Sequence, residues 1–72
     1  MERFLRYSLE KQRGIRLIFL NDEGVMKQVN AQVLALDASQ VRFACLRPKG
    51  EWTLPLERIL SADYRRGDEA QD

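Results

Sequence analysis

Arg58 is the residue whose type and position most strongly suggest chemistry, because it lies in a short turn before the last predicted strand. The planar guanidinium of arginine donates paired hydrogen bonds that match the oxygens of a phosphate or a carboxylate. At the rim of a sheet, such a side chain would contact an anionic ligand. The alternative is a surface arginine that forms an ion pair after Glu57. Both interpretations stay open on the sequence, and Arg58 is the first candidate binding residue.

A second basic group surrounds a predicted hairpin earlier in the chain. It consists of Arg42, Arg47 and Lys49, and no acidic residue follows Arg42 until Glu51. Basic side chains at a hairpin contact phosphates in many nucleic-acid-binding proteins. We interpret the group either as a solvated hairpin or as a surface for nucleic acid or another anionic ligand.

Cys45 and Trp52 also have chemical potential, but both alternate with apolar residues. Cys45 follows Val41 and Phe43 at two-residue spacing, which is typical of a small buried core residue. Trp52 is in phase with Leu54, which favours a core or interface position over a base-stacking platform.

The composition argues against an enzyme. The chain has no histidine and one cysteine, so Ser–His and Cys–His nucleophile pairs are absent and a structural zinc site is not expected. The carboxylates are spread along the chain, and no glycine-rich phosphate loop is present. We therefore predict a non-enzymatic protein without a cofactor or a metal.

Size and charge limit the remaining functions. The 72 residues suit one domain, which we place at residues 1–65, with a flexible polar tail at 66–72. A net charge of +1 gives no general attraction to nucleic acid or membranes. No apolar stretch approaches the roughly 20 residues of a membrane span, and no signal-peptide pattern is seen, so we expect a cytoplasmic protein without a membrane role. Because so small a core is marginally stable, a homo-oligomer or a protein partner is also expected.

The predicted elements are one helix and five strands. Phe4, Leu5 and Leu9 share one face of a helix over residues 2–12, and Gly14 is predicted to supply its left-handed stop. Two-residue alternation predicts strands at about 15–20, 25–36, 40–47, 51–56 and 59–65. Residues 48–50 are predicted to form the hairpin turn, and residues 57–58 a single 3₁₀ turn.

The second strand is too long to stay straight in a domain of this size, since it would extend about 40 Å. A kink or bulge is therefore predicted at Asn30 or Ala31. The fold class that follows is mainly β: an N-terminal helix and a strongly bent, five-stranded antiparallel sheet resembling an Sm-like or SH3-like barrel.

Strict alternation also predicts which side chains share a face. It groups Val33 with Ala35, and it groups Leu60 with Ala62 and Tyr64. In the first strand, Ile15, Leu17 and Phe19 share one face, and the opposite face carries Arg16, Ile18 and Leu20. Because this second face is unusually apolar, we expect the helix or a partner to cover part of it.

Two segments sharpen the comparison with known families. The run from Leu54 to Ile59, L-P-L-E-R-I, resembles the F-x-L-D-R-I segment that closes WYL-type domains, the Sm-like modules of bacterial transcription regulators. The run from Ile15 to Phe19 resembles the I-x-I-x-Y first strand of that family. The resemblance covers about residues 4–64, although Val41-Arg42-Phe43 stands where the Trp-Tyr-Leu triplet would fall. It implies a small bacterial regulator with Arg58 as the carried-over contact.

Two functional hypotheses follow. In the first, the chain is a non-enzymatic regulatory binding module that binds an anionic ligand or a single-stranded nucleic acid through Arg58, Arg42, Arg47 and Lys49. In the second, it is a protein–protein interaction module or a homo-oligomer with no nucleic-acid role.

Overall fold

The computed structural model describes residues 2–65, apart from the side chain of Leu46, so the predicted tail at 66–72 lies outside it. The elements are helix α1 (Glu2–Lys11) and strands β1 (Ile15–Leu20), β2 (Met26–Leu36), β3 (Gln40–Leu46), β4 (Lys49–Pro55) and β5 (Ile59–Tyr64). A 3₁₀ turn, Leu56–Arg58, precedes β5. The prediction of a mainly-β chain with a helix, five strands and that turn is confirmed.

The strands form one antiparallel sheet in the order β4-β3-β2-β1-β5. Strands β4 and β5 are its edges, and no ladder joins them within residues 2–65, so closure into a barrel is not shown. The sheet is nevertheless curved. Phe19 on β1 and Phe43 on β3 have ring centroids 5.6 Å apart, whereas strands separated by one neighbour lie about 9.5 Å apart in a flat sheet.

The core lies between α1 and the concave face of the sheet, here called the inner face. Leu5 of α1 is fully buried, and Phe4 and Tyr7 make edge-to-face contacts with the ring of Tyr64. Ile15, opposite Tyr64, is also fully buried. The helix therefore covers the inner face and not the face of Arg16, Ile18 and Leu20, here called the outer face. Of the two covers expected for part of the outer face, the helix is therefore wrong, and a partner stays a prediction.

The helix ends at Lys11, three residues before Gly14. Gln12 has a φ of 56°, and the Arg13 amide donates to the Ser8 carbonyl at 3.2 Å. This pattern is a Schellman motif with Gln12 in the left-handed position. The prediction that Gly14 supplies the stop is wrong, because the helix reaches its last hydrogen-bonded turn before that glycine. Among the glycines that the structure describes, Gly24 is the one in the left-handed region, with a φ of 76° in the β1–β2 turn.

The bend in β2 is a bulge at Leu34, not at Asn30 or Ala31. The pairing with β3 runs Val33–Phe43 and then Ala35–Arg42, so Leu34 has no opposite residue. The extra residue reverses the phase of the strand beyond it. As a result Leu36 packs against the core and Ala35 is exposed, contrary to the predicted pairing of Ala35 with Val33.

Ser8 joins the helix to this bulge. Its Oγ accepts a hydrogen bond from the buried Val33 amide at 2.9 Å and donates to the Arg13 carbonyl at 2.5 Å. The β1–β2 ladder ends at Ala31, so Val33 lies beyond the last residue of β1 that could pair with it. A buried amide is costly to leave unpaired. The serine hydroxyl supplies the missing partner, which explains a fully buried polar residue on the apolar face of α1.

A second bulge lies where β5 meets β1. The register shifts between Ile18 and Phe19, which pair with Ser61 and Ile59. Leu60 is the extra residue and is 49% exposed, whereas Ala62 is buried. Grouping Leu60 with Ala62 is therefore wrong, because the bulge breaks the alternation between them.

The β3–β4 hairpin is tighter than predicted. Pairing continues through Cys45–Gly50 to Leu46–Lys49, so the turn is Arg47-Pro48, joined by a cis peptide bond. The predicted strand ends at residues 47 and 51 are corrected accordingly. In the β2–β3 turn, the Asp37 carboxylate accepts hydrogen bonds from the amides of Ser39 and Gln40 at 2.8 and 2.9 Å, as expected of a tight connection.

Candidate functional site

A groove of about 360 Å³ opens on the inner face, between the β1–β2 turn and the β3–β4 hairpin. We call it the inner groove. Its floor is apolar and comes from four strands, β1 to β4: Phe19, Val29, Cys45 and Leu54. Three of these floor residues belong to the buried core, and Val29 packs against it. The floor is therefore a continuation of the core that the curved sheet leaves open at one end.

Trp52 forms one wall of the inner groove. Its ring stacks on Phe43, with centroids 6.2 Å apart and planes inclined by 23°, yet the residue is 39% exposed. It stays accessible because β4 is an edge strand with no neighbour beyond it. The indole lies across Gly50, where a Cβ atom would come within 2.9 Å of the ring. Gly50 thus makes room for a flat aromatic surface that faces the groove.

The rim of the inner groove is charged. Arg47 and Lys27 contribute cations, and Asp22 contributes a carboxylate. Arg58 reaches this rim indirectly, because its Nη1 donates to Asp22 Oδ1 at 2.5 Å. Arg58 thus forms an ion pair with Asp22, and its interpretation as a contact for an anionic ligand stays a prediction.

The predicted basic group at the hairpin is divided between two faces. Arg47, in the turn, lines the inner groove. Arg42 lies on the outer face, where its Nε and Nη2 both donate to Glu51 Oε1, the former at 3.1 Å. Lys49 is exposed at the start of β4, two residues before Glu51 and on the same side of the strand. The structure therefore brings Arg47 and Arg58 towards one groove and leaves Arg42 and Lys49 outside it.

Cys45 is buried in the floor, as its alternation predicts. Burial raises the pKa of its thiol above the ordinary value, because desolvation penalises the thiolate. A neutral buried thiol is a weak nucleophile. It therefore contributes apolar surface to the groove and not covalent chemistry.

The arrangement suits recognition of a flat ligand that carries negative charge. An apolar floor and an aromatic wall bind a ring, and two cations at the rim bind an anionic substituent. In residues 2–65, no cluster of three or more His, Cys, Asp or Glu side chains is placed to hold a metal ion. Over the same described range, no helix is both long and apolar enough to cross a membrane.

Sequence reasoning missed Lys27 and favoured a core or interface position for Trp52, although both residues leave a readable signal of an open groove. Lys27 lies opposite Phe19 and so interrupts the inward apolar series of β2 with a charge. Trp52 follows Gly50 by two residues on the same strand face, which is the spacing that lets an indole lie over a glycine. A charge in an inward position and a glycine beneath an aromatic both indicate a surface left open.

Comparison with known proteins adds no relative to this description. No family model matches the chain, and neither a curated protein nor a solved structure is significantly similar to it.

Proposed function

We propose that this chain is a non-enzymatic binding module that holds an anionic ligand with a planar ring, namely a nucleotide of a single-stranded nucleic acid, in the inner groove. The base stacks against Trp52, and the phosphate contacts Arg47 and Lys27. The observation that carries the proposal is the half-exposed indole in an apolar groove with two cations at its rim. An aromatic platform beside basic side chains is how many proteins bind single strands without strong sequence preference.

The expected affinity is modest. Stacking of one base contributes about 1–3 kcal/mol, and a charge-assisted hydrogen bond about 1.5–3 kcal/mol. Because the entropy lost on association opposes these terms, we expect a single nucleotide to bind with a dissociation constant of about 10⁻³ M or weaker. A regulatory role, sensing a ligand or strand at cellular concentration, fits such weak and reversible binding.

Arg58 has a second place in this proposal. Its guanidinium holds Asp22 on the rim, and Asp22 is 93% exposed as a side chain. A ligand phosphate competes with that carboxylate for Arg58, because both offer oxygens that match the guanidinium. The Sm-like, WYL-type resemblance of the Leu54–Ile59 segment supports Arg58 as a contact, and the 3₁₀ turn Leu56–Arg58 agrees with it. On the same grounds we propose that the curved sheet is of the Sm-like barrel type.

The test is a titration with short oligothymidylate and oligouridylate. The chain has one tryptophan, so indole fluorescence reports on the inner groove alone, and backbone amide shifts locate the contacts. Trp52→Leu should weaken binding about tenfold or more, the worth of one stacked base. Arg47→Gln should weaken it several-fold and lower the slope of log K against log salt by about 0.7, the value of one phosphate contact on a single strand.

Arg42→Gln is the matched control. It removes a guanidinium from the same hairpin, but from the outer face, where Glu51 already binds it. Affinity should change less than twofold. Equal losses for the Arg42 and Arg47 variants would show that charge alone attracts the strand, and unchanged fluorescence at low salt would refute the inner groove as the site.

A second candidate function rests on the outer face of β1 and its neighbours. Met26 and Leu60 are 64% and 49% exposed there, and Leu60 lies on the edge strand β5. Exposed apolar side chains near a free strand edge favour self-association or a protein partner. Light scattering over a concentration series tests this candidate: a Leu60→Lys variant should lose any dimer that the unmodified chain forms, and a strict monomer at high concentration excludes the homo-oligomer.

A further inference from the structure

A second groove, of about 380 Å³, lies between the end of α1, the middle of β2 and β3, and the residue that follows β5. We call it the outer groove. It shares no lining residue with the inner groove. The pairing of Ile15 with both Ala31 and Tyr64 explains its position, since it brings Gly14 and Arg65 together beside β2.

The chemistry of this lining is uniformly that of an anion site. Arg13 and Arg65 supply guanidinium groups, Asn30 and Gln32 supply carboxamides, and Gly14 and Ala44 leave the floor open. None of the lining residues that the structure describes is a carboxylate. Asp63, which lies opposite Arg16 on the neighbouring strands, is held there by the Arg16 guanidinium at 3.5 Å.

Gly14 has a specific role in this groove. Its φ lies outside the left-handed region, so the backbone conformation does not require a glycine there. A Cβ atom at this position would lie 3.1 Å from Arg65 Cδ and 3.4 Å from Arg65 Nη1. The missing side chain therefore lets the arginine lie directly on the backbone. Gly14 positions the Arg65 guanidinium at the groove.

The nearby helix end does not cancel this charge. The C-terminus of a helix carries the equivalent of about −0.5 elementary charge, and the effect fades within the last turn. The Ser8 carbonyl of that turn already accepts the Arg13 amide. The Arg65 guanidinium beside Gly14 therefore supplies the positive charge on which the proposed site depends.

We propose that the outer groove is a phosphate-binding site, in which Arg65 is the principal contact and Asn30 and Gln32 donate amide hydrogen bonds. The planar fork of an arginine binds two oxygens of a phosphate at once, and carboxamides add directed donors. This site is independent of the proposed function, because it uses other residues on another part of the surface.

The test uses inorganic phosphate and pyrophosphate, with chloride at equal ionic strength as the reference. Amide shifts of Gln32 and Ala44 report on the outer groove, and Trp52 fluorescence reports on the inner groove. Phosphate should shift the amide signals of Gln32 and Ala44, and the shifts should saturate as the phosphate concentration rises. Arg65→Gln should weaken that binding at least fivefold, and Gly14→Ala at least threefold by displacing the arginine.

Arg6→Gln is the control variant, because Arg6 is exposed on α1 and bound to Glu2 at 3.1 Å. It should leave the phosphate affinity within twofold of the original. Thermal unfolding of each variant checks that the fold is retained. Arg65→Lys keeps the charge but loses the planar guanidinium, so its phosphate affinity should lie between those of the unmodified chain and Arg65→Gln.

Several outcomes would overturn the proposal. It fails if phosphate leaves Gln32 and Ala44 unshifted, or if Arg65→Gln and Arg6→Gln weaken binding equally. Shifts at Lys27 and Trp52 without shifts at Ala44 would refute the outer groove and leave the inner-groove function intact. If phosphate shifted Ala44 but oligonucleotide left the indole fluorescence unchanged, the inner-groove function would be refuted and the outer groove would stand.

Discussion

The inner and outer grooves have nearly the same volume, about 360 and 380 Å³, but they are built from different parts of the molecule. The inner groove is an extension of the core, and its floor side chains are largely buried. The outer groove is made of polar side chains on strand faces and at the ends of elements. In each, a glycine makes room for the side chain that defines the groove: Gly50 for Trp52, and Gly14 for Arg65.

This difference has a thermodynamic consequence. The binding proposed for the inner groove combines stacking, which salt affects weakly, with phosphate contacts at Arg47 and Lys27. The binding proposed for the outer groove has no aromatic contact and should be screened by salt throughout. The residues of the inner groove also contribute to stability, so altering its floor costs folding free energy. The outer groove can be altered at little cost to the fold.

The largest expected effect on the molecule comes from breaking the hydrogen bonds that Ser8 of the helix makes to Val33 and Arg13. Ser8→Ala leaves the buried Val33 amide without a partner and releases the Arg13 carbonyl, which belongs to the wall of the outer groove. We expect the free energy of unfolding to fall by about 1–3 kcal/mol, the cost of an unsatisfied buried donor. Chemical denaturation measures the loss.

Ser61→Ala is the control for that measurement, since Ser61 is exposed on β5. It should change the free energy of unfolding by no more than about 0.5 kcal/mol. If the two alanine variants were equally stable, the hydroxyl of Ser8 would not be the hydrogen-bond partner that the buried Val33 amide requires.

Gly50→Ala separates the grooves. The added Cβ would lie 2.9 Å from the far end of the Trp52 indole, which must move aside. Because the ring is half exposed, we expect a stability loss of at most about 1 kcal/mol, the low end of overpacking costs. Oligonucleotide affinity of the inner groove should fall several-fold, and the emission of Trp52 should shift.

Gly14→Ala is the reciprocal experiment. It should affect phosphate binding at the outer groove and leave oligonucleotide binding at the inner groove unchanged. If substitution of either glycine weakened the binding of oligonucleotide and of phosphate equally, the two grooves would not be independent.

Gln12→Gly should stabilise the chain at the edge of the outer groove. A left-handed conformation costs a non-glycine residue about 1–2 kcal/mol, and glycine loses about 0.4–1 kcal/mol through the unfolded state. We therefore expect a gain of about 0.5–1 kcal/mol in the free energy of unfolding. The neighbouring Lys11→Gly, within the helix, should destabilise instead. A loss for Gln12→Gly would contradict the assigned Schellman motif.

The smallest effect concerns pH. Backbone hydrogen bonds from Ser39 and Gln40 hold the pKa of Asp37 below its ordinary value of 3.8. The folded state therefore gains stability from the ionised carboxylate above the ordinary pKa, and loses it as the pH falls through the lowered value. Asp37→Asn should remove this part of the acid dependence, as measured by unfolding between pH 5 and pH 2.

Neither groove should follow that titration. The chain has no histidine, so no side chain with an ordinary pKa near neutrality lines them. Oligonucleotide affinity at the inner groove should be constant between pH 5 and pH 8. A pronounced pH dependence in that range would point to a titrating group other than those described.

Predictability from the sequence differs between the fold and the site. Alternation placed every strand to within two residues, and the 3₁₀ turn expected at residues 57–58 is found at Leu56–Arg58. The bulges at Leu34 and Leu60 escaped prediction, because an extra residue in one strand changes neither composition nor local propensity. Each bulge interrupted the alternation of side chains along its strand. Beyond Leu34, Leu36 therefore faces the core where Ala35 was expected to.

The site was predicted only in part. Arg47 and Arg58 were recognised as basic residues near strand ends, and the structure brings both to the inner groove, Arg58 through Asp22. Arg42 lies on the outer face because it alternates with the buried Val41 and Phe43. The two-residue hairpin turn places Lys49 on that same face. Arg65 was assigned to the last strand without a role, since its proximity to Gly14 depends on a pairing between the two ends of the chain.

The sequence by itself determined the kinds of element, their order and the absence of histidine chemistry, because local periodicity and composition are properties of neighbouring residues. The tertiary structure alone decided which arginines meet a groove, where the sheet bends and which tryptophan face stays open. Those features depend on register and curvature, which arise from contacts between residues far apart in the chain, and no local pattern encodes them.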